Sequence, residues 1–444
     1  MKQMIIKGVA FLLILVGLNN LASFALIPIG GASEVMWNDY YEMEDLDTLY
    51  IGSSVCLRSF NPYILDKKLG TNSYNMGTPS QPIDLTYLAL ETALKQHDIE
   101  RVYFGFGYFT LTMPNSQQSE TAFLQARNQY VSLGERMKAS VEYMFQKNNI
   151  GSSASVNFIF PWVYNHVQLQ VGDIKANIVG KLTGRSASDE KMVNDEMRNY
   201  VGRGFGYYKG VLDYDTVGNL TSAAYYYGEF LTDTLNMLDK ICELCEENGV
   251  DLIVVNTPRP AFDVLAYGEE YYTLYEQVKQ FLNERGAKYY DFNFVKPEVF
   301  ASRPEYYFNF EHLNEEGADA FSESFADFEM ARQQGVDVEA YFYDWKEYMA
   351  SIDYISSVYF EEEGTDIGKV FKGYAYAGTN VEVEYRFEVH NKDTGDIQVL
   401  KEYGMENECI WDCKEDGNFR VIMKVRQVGN KADYERYYAQ DFVN

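Results

Sequence analysis

The sequence predicts an α/β protein: a doubly wound, three-layer domain with a parallel sheet over residues 44–335, then a small all-β sandwich over 367–444. Three observations carry this. From Thr48 onward, short apolar runs of strand length alternate with helical stretches, the pattern of parallel strands joined by crossover helices. One run, Leu252-Ile253-Val254-Val255, is apolar throughout, as a strand covered on both faces must be. Near the C-terminus the period changes. Val381, Val383, Tyr385, Phe387 and Val389 alternate with Glu382, Glu384, Arg386, Glu388 and His390, which marks a half-buried strand.

Taken in order, residues 1–30 read as a targeting segment. Lys2 and Lys7 precede a mostly apolar run from Val9 to Ile29, long enough for the roughly 20 residues that a bilayer span needs. The leading lysines predict a cytoplasmic N-terminus. A single-pass cell-membrane anchor with an extracytoplasmic body is the preferred expectation. A cleaved signal peptide, leaving a secreted protein, is the alternative offered by the small residues at Ala22-Ser23 and Gly30-Gly31-Ala32.

Thr48–Ile51 is the first expected strand, Pro62–Lys68 a short helix, Ser73–Met76 a second strand. Ile83–Gln96 carries Leu85, Leu88, Leu90 and Leu94 at helical spacing, and Arg101–Phe106 is a third strand. Residues 108–221 interrupt the rhythm. Ala122–Gln146 and Ile174–Leu182 look helical, while Gly184–Asn219 is polar, glycine-rich and irregular. The whole reads as an insertion forming a mobile lid or binding loop over the sheet's functional edge. His166, beside Trp162 and Tyr164, reads as structural. A long helix from Ala223 to Asn248 stops at Gly249. Asp251–Asn256 is a buried strand, Glu269–Arg285 a helix, Lys288–Asp291 the last strand and Asn314–Ala331 the last helix. An acidic, aromatic linker is expected over 336–366. Turn signals at Thr394-Gly395 and Asp416-Gly417-Asn418 separate the later strands, and His390 reads as surface.

Composition narrows the function. The chain has 444 residues and a formal net charge of −28, which repels phosphates and argues against a nucleic-acid partner. Five cysteines give no disulfide framework. Cys242 and Cys245 read as buried thiols on a helix face, and Cys409 with Cys413 could bridge only through a tight turn. No metal-ligand spacing occurs, so neither a metal nor another cofactor is expected. The 38 tyrosines suit sugar recognition, though most are expected to fill cores.

The candidate chemistry lies at two distant stretches. Leu49-Tyr50-Ile51 breaks into Gly52-Ser53-Ser54, placing hydroxyls just past a strand end, where open α/β sheets bind ligands. Phe308-Asn309-Phe310-Glu311-His312 puts an imidazole just ahead of a helix. A serine becomes a useful nucleophile when a base lies within hydrogen-bond reach. Ser54 as nucleophile and His312 as base are therefore expected to meet at the sheet edge and perform acyl transfer. Gly77 follows a strand end and is an oxyanion-donor candidate, with the Ser54 N–H as a second. Arg58 is a candidate clamp for a carboxylate or phosphate, or a partner for one of the many acids. Gln81 is a candidate donor into the site, or a helix N-terminal residue. Cys56 offers a thiol two residues from Ser54, in a poorer context.

These residues resemble a known family. Ile51-Gly52-Ser53-Ser54 is similar to the first block of the SGNH (GDSL-like) hydrolases, with Ser53 where aspartate is usual. Tyr74-Asn75-Met76-Gly77 resembles the glycine block. Asn309 to Ala318, with His312 and Gly317, resembles the final block that carries the histidine. With the N-terminal apolar run, the chain looks most like the membrane-anchored, DltD-like branch of Gram-positive bacteria. The resemblance covers residues 45–335 and leaves the insertion unmatched.

It implies a flavodoxin-like three-layer fold and a serine esterase or O-acyltransferase. The implied substrates are acyl esters of a cell-envelope polysaccharide or teichoic-acid-like polymer, with a membrane acyltransferase as a further partner. Two departures stand out. Asn309 occupies the usual aspartate position, with Asp291 as another candidate partner for His312. The family's oxyanion asparagine has no match near Gly105-Phe106-Gly107, and Asn75 sits in a different block. A catalytically impaired envelope-binding or scaffold protein is the second reading these departures support.

Overall fold

A computed structural model describes residues 2–29, 32–116, 138, 141, 142, 145, 160–164, 166–183, 198–218, 228–365, 368–412 and 416–443. Strands β1 (Thr48–Gly52), β2 (Ser73–Asn75), β3 (Arg101–Phe106), β6 (Asp251–Asn256) and β7 (Lys288–Asp291) form a five-stranded parallel sheet in the order β2-β1-β3-β6-β7. Between them in sequence, β4 (Arg198–Gly202) and β5 (Phe205–Tyr208) pair only with each other. Counted along the sheet, the order is the doubly wound, flavodoxin-like one, and it reverses between β1 and β3. The crevice beyond the carboxyl ends of those two strands is where such sheets take ligands. The chain divides into two compact units, residues 1–209 with 229–254, and 210–228 with 255–444.

In the first unit β1 is buried at all five positions, as its apolar sequence requires. Its register with β3 runs from Thr48 opposite Arg101 to Gly52 opposite Gly105. Tyr50 stacks between Phe60 (4.9 Å) and Tyr103 (5.3 Å). Among the described residues its helices are α1 (Lys2–Leu26), α2 (Ala32–Tyr40), α3 (Ser54–Leu57), α4 (Pro62–Leu69), α5 (Ile83–Leu94), α6 (Phe109–Thr112), α7 (Pro161–Tyr164), α8 (Val171–Leu182) and α9 (Thr232–Glu247). Asn61 caps α4 by accepting from the Tyr63 N–H, and Gly70 ends it in the left-handed conformation.

The helix α9 buries Leu238, Ile241, Cys242 and Cys245 along one stripe, and burial pushes the Cys245 thiol up to about 12. It begins at Thr232, and the Leu231 N–H before it donates to the Leu111 carbonyl (2.9 Å); residues 223–227 of the helix the sequence predicts from Ala223 lie outside the described residues. The helix α1 is long and apolar enough to cross a membrane, with a mean hydropathy of 2.1 and no buried residue.

The predicted irregular stretch Gly184–Asn219 contains the β4–β5 hairpin, and the described part is a docked element. The Arg203 carbonyl accepts from the Asn75 N–H (3.0 Å). The Arg203 guanidinium reaches Asp66 (2.9 Å), Asn72 Oδ1 (3.0 Å) and the Ser73 carbonyl (3.1 Å). Arg203 (φ 49°) and Gly204 (φ 73°) are both left-handed, and a Cβ on Gly204 would lie 1.7 Å from the Asn75 carbonyl oxygen. Glycine there permits the approach to β2. Most of the predicted helix Ala122–Gln146 and the sequence Asn219–Thr221 lie outside the described residues.

The second unit carries α10 (Ala261–Tyr267), α11 (Glu269–Asn283), α12 (Glu315–Gln333) and α13 (Trp345–Ser351). Its strands are β8 (Ile355–Thr365), β9 (Gly368–Ala377), β10 (Val383–Asn391), β11 (Ile397–Gly404), β12 (Glu408–Trp411), β13 (Asn418–Gln427) and β14 (Arg436–Val443). Antiparallel sheets β11-β10-β13-β14 and β12-β9-β8 enclose one core that includes Val358, Phe360, Phe371, Phe387, Trp411, Val421 and Met423.

The linker expected over 336–366 is instead structured. Asp344 and Glu347 form a reciprocal capping box on α13, and β8 begins at Ile355. Val358 and Phe360 of β8 face the core while Glu361, Glu362 and Glu363 stay in solvent, so a strand there reads as acidic. His390 is half-buried rather than on the surface, its Nε2 3.3 Å from Glu388 Oε2. Cys409 is a buried free thiol, and Cys413 lies outside the described residues.

Candidate active site

The serine stretch is built on close backbone approach. Gly52 has φ 144°, and a Cβ there would lie 2.3 Å from the Gly105 carbonyl oxygen. A Cβ on Gly105 would lie 2.6 Å from Cys56 Cβ. Two glycines opposite each other in register thus let β1 end and α3 begin directly over β3. Ser53 is the extended N-cap residue of α3, and its carbonyl accepts from the Leu57 N–H (3.1 Å). Its hydroxyl is buried with no hydrogen-bond partner. Ser54 is the first residue of α3, half-buried, and its carbonyl accepts from the Arg58 N–H (3.0 Å). It stands just past the end of β1, at the point where the strand order reverses.

Asn75 holds this corner together. Its Nδ2 donates to the carbonyls of Cys56 (2.9 Å) and Phe60 (3.0 Å), and its Oδ1 accepts from the Gly77 N–H (3.0 Å). Both amide hydrogens are engaged by the chain, so Asn75 acts as a clamp and not as an oxyanion donor. Gly77 packs so tightly that a Cβ would lie 2.7 Å from both the Leu57 nitrogen and the Ser53 carbonyl oxygen. That places the glycine against the turn that carries Ser54, with its N–H on Asn75.

Arg58 is buried, with its guanidinium 4.2 Å over the Tyr208 ring of β5. An arginine in that setting is held by π-stacking as much as by charge. Gln81 accepts from Thr78 Oγ1 (2.6 Å) and donates to Thr86 Oγ1 (3.1 Å), which ties the loop before α5. Cys56 is fully buried, and burial pushes its thiol far up. A thiol held neutral is a poor nucleophile.

The histidine stretch belongs to the second unit, between β7 and α12. Asn309 Oδ1 accepts from the Glu311 N–H (2.9 Å) and the His312 N–H (2.9 Å), and lies 3.0 Å from His312 Nδ1. Two backbone donors fix which end of the amide is oxygen. An oxygen facing Nδ1 can only accept, so Nδ1 carries a proton, which in the neutral ring leaves the lone pair on Nε2. His312 is buried, with 7% of its surface exposed, and its carbonyl accepts from the Phe308 N–H (3.0 Å). Asn314 caps α12 through the Gly317 N–H (3.0 Å) and donates to the carbonyls of Gly210 (2.9 Å) and Glu305 (2.7 Å). The loop is therefore anchored on both sides.

Asp291, the other candidate partner of His312, accepts from Asn256 Nδ2 (3.0 Å), Tyr271 Oη (3.1 Å), the Asn293 N–H (3.0 Å) and Asn293 Nδ2 (2.8 Å). It organises the end of β7. Sequence reasoning passed over Glu311, whose carboxyl is pushed up by burial, opposed by the nearby Arg259 charge and reinforced by Asp263. Arg259 and Asp263 form a buried ion pair (3.1 Å). Sequence reasoning also missed the Arg203 anchor. Its available signal was Gly202-Arg203-Gly204, a run suited to a left-handed turn. Among the described residues, no group of three or more His, Cys, Asp or Glu side chains is placed to hold a metal.

Comparison with known proteins adds the following. No family model and no curated protein matches the chain. Among solved structures it is similar to a Streptococcus pneumonia protein provisionally described as a platelet activating factor, at 10% identity and a TM-score of 0.31, over 67% of this chain and 90% of that one. It is also similar to a Bacteroides fragilis protein provisionally described as an acylhydrolase, again at 10% identity and a TM-score of 0.31, over 68% of this chain and 94% of that one.

Proposed function

We propose that the protein is an SGNH-type serine ester hydrolase or O-acyltransferase, with Ser54 as nucleophile and His312 as base. The observation that carries this reading is the three-way acceptance at Asn309 Oδ1, which fixes His312 as the Nδ1–H tautomer. A buried histidine held in one tautomer is what general-base catalysis needs. In the proposed reaction Ser54 Oγ bonds to the acyl carbonyl carbon and its proton passes to His312 Nε2. The tetrahedral intermediate collapses, the ester C–O bond breaks, and the leaving alkoxide takes that proton. Water or a sugar hydroxyl then attacks the acyl carbon of the acyl-serine and gives its proton to His312; on collapse the acyl–Oγ bond breaks and His312 returns that proton to Ser54 Oγ.

The oxyanion is assigned to the N–H groups of Ser54 and Gly77. A charged acceptor forms roughly twofold stronger hydrogen bonds than a neutral amide oxygen, so the forming oxyanion would draw the Gly77 N–H from Asn75 Oδ1. The substrate class proposed is an acyl ester of a cell-envelope glycan or teichoic-acid-like polymer, reached from a membrane that α1 anchors. A fluorophosphonate probe tests the chemistry. Labelling of the wild type, abolished in Ser54→Ala, is the expected result, and an unlabelled wild type would sink it. The second reading, a binding or scaffold protein on the same fold, is favoured by Asn309 being neutral. Polymer binding with no ester turnover in either wild type or Asn309→Asp would establish it.

A further inference from the structure

We infer that α8 is an interfacial helix, seated with its apolar face in the lipid surface beside the end of α1. The inference rests on the proposed reading of α1 as a membrane anchor. The two helices are joined at one level. Asn177 of α8 donates to the carbonyls of Ala25 and Ile27 (both 2.9 Å), and its Oδ1 accepts from the Ile29 N–H (3.2 Å). Lys181 Nζ donates to the Phe24 carbonyl (2.7 Å) and to that of Ile27. The Val167 N–H donates to the Leu26 carbonyl (2.9 Å). The last carbonyls of a helix have no partner within it, and here a buried amide and an ammonium on α8 supply them. An ammonium at that end also suits the helix dipole.

This fixes the depth of α8. At 1.5 Å per residue, the 25 residues of α1 span about 37 Å against roughly 30 Å of hydrocarbon. Its last turn, where α8 is bonded, therefore falls at the headgroup boundary. Trp162 of α7 reaches Asn19, donating from Nε1 to Oδ1 (2.8 Å). That satisfies a polar side chain inside the apolar run.

The rest of α8 is shaped for lipid. Val171, Ile174, Ile178 and Leu182 recur at helical spacing, and Val171, Leu182 and the preceding Leu169 are 84%, 73% and 68% exposed. A shallow apolar groove runs along Val171, Ile174, Lys175, Ile178 and Val179. An exposed apolar face with flanking lysines suits a helix that lies in the interfacial plane. With a net charge of −28 on the whole chain, attraction to anionic headgroups opposes the body's own repulsion, so apolar burial supplies the seating.

Photo-crosslinking tests this on the full chain reconstituted in phosphatidylcholine vesicles, with benzoylphenylalanine in place of Leu182 and, as a control, of Glu243 on the exposed side of α9. Flotation with the vesicles and a lipid adduct at 182 but not at 243 are expected. The adduct at 182 is expected to fall several-fold in Ile174→Glu/Ile178→Glu while flotation persists through α1. A floating protein that gives a protein–protein adduct at 182, or none, overturns the inference and leaves the anchor standing. A protein that does not float overturns both. A lipid adduct undiminished by the double substitution also overturns it, because the apolar face would then not be what seats the helix.

Discussion

The serine end and the histidine loop hold their key groups by opposite means. Around Ser54 the geometry is set by backbone lying against backbone. Gly52, Gly77 and Gly105 each sit where a Cβ would fall within 2.7 Å of another atom, and one side chain, Asn75, ties the corner through three hydrogen bonds of 2.9–3.0 Å. Around His312 the geometry is set by a side-chain oxygen that accepts three N–H groups within a four-residue stretch. The first arrangement needs the whole sheet corner to be folded. The second is local, and its chemistry is adjustable by a single atom. The place of Ser54 is therefore a matter of stability, and the basicity of His312 a matter of charge.

The largest expected effect breaks the serine side. Asn75→Ala leaves the Cys56 and Phe60 carbonyls and the Gly77 N–H without their partner in a buried corner. Each orphaned buried group costs about 1–3 kcal/mol, so a loss of at least ~3 kcal/mol is expected in denaturant unfolding. A loss below ~1 kcal/mol, within the range of an ordinary surface change, would mean that the glycines alone hold the turn.

How far this was legible in the sequence follows from the same contrast. Strands β3, β6 and β7 were read at their observed bounds, and β1 nearly so, because apolar runs between turn residues report burial directly. Gly52-Ser53-Ser54 stood out for the same reason. Gly105 did not announce its role, since its necessity depends on Cys56 arriving from another segment. The clamping role of Asn75 was not legible, because its partners Cys56 and Phe60 lie 19 and 15 positions away. Asn309 was readable, since all its partners lie within three residues. Local hydrogen bonds leave a local trace, whereas Gly202-Arg203-Gly204 signals a left-handed turn and nothing of the tether from Arg203 to Asp66, 137 positions away.

A middle-sized effect sharpens the histidine side. Aspartate at 309 can accept the same three N–H bonds, so Asn309→Asp keeps the loop and adds a negative charge beside Nδ1. A carboxylate there stabilises the imidazolium that forms as the base takes its proton, a contribution worth up to about 10⁴ in kcat in a serine protease. For this chain we expect a rise of at least ~10-fold in ester turnover. The alkaline shift of the pH–rate profile follows from the same charge. Asn309→Ala, which removes the acceptor, should lose turnover without changing the Ser54 corner. A variant Asn309→Asp no faster than wild type would mean that proton transfer to His312 does not limit the rate.

The smallest effect concerns Glu311, between the two anchored residues. Its carboxyl titrates above the usual 4.5 because burial disfavours the charged form, and Arg259 only partly offsets this. A folded-state pKa above the unfolded one means that the folded protein binds the proton more tightly. The stability this contributes is fully present below about pH 4.5 and is lost as pH rises through the folded value. Glu311→Gln keeps the backbone N–H on Asn309 and removes the titration. The variant should therefore be modestly more stable than wild type at pH 7, with the advantage shrinking toward pH 4. Thermal unfolding at the two pH values reads the difference. An advantage that is constant with pH would point to packing and not ionisation. A loss at pH 7 would mean that the Arg259 charge relies on Glu311 as well as on Asp263, making the histidine loop as interdependent as the serine corner.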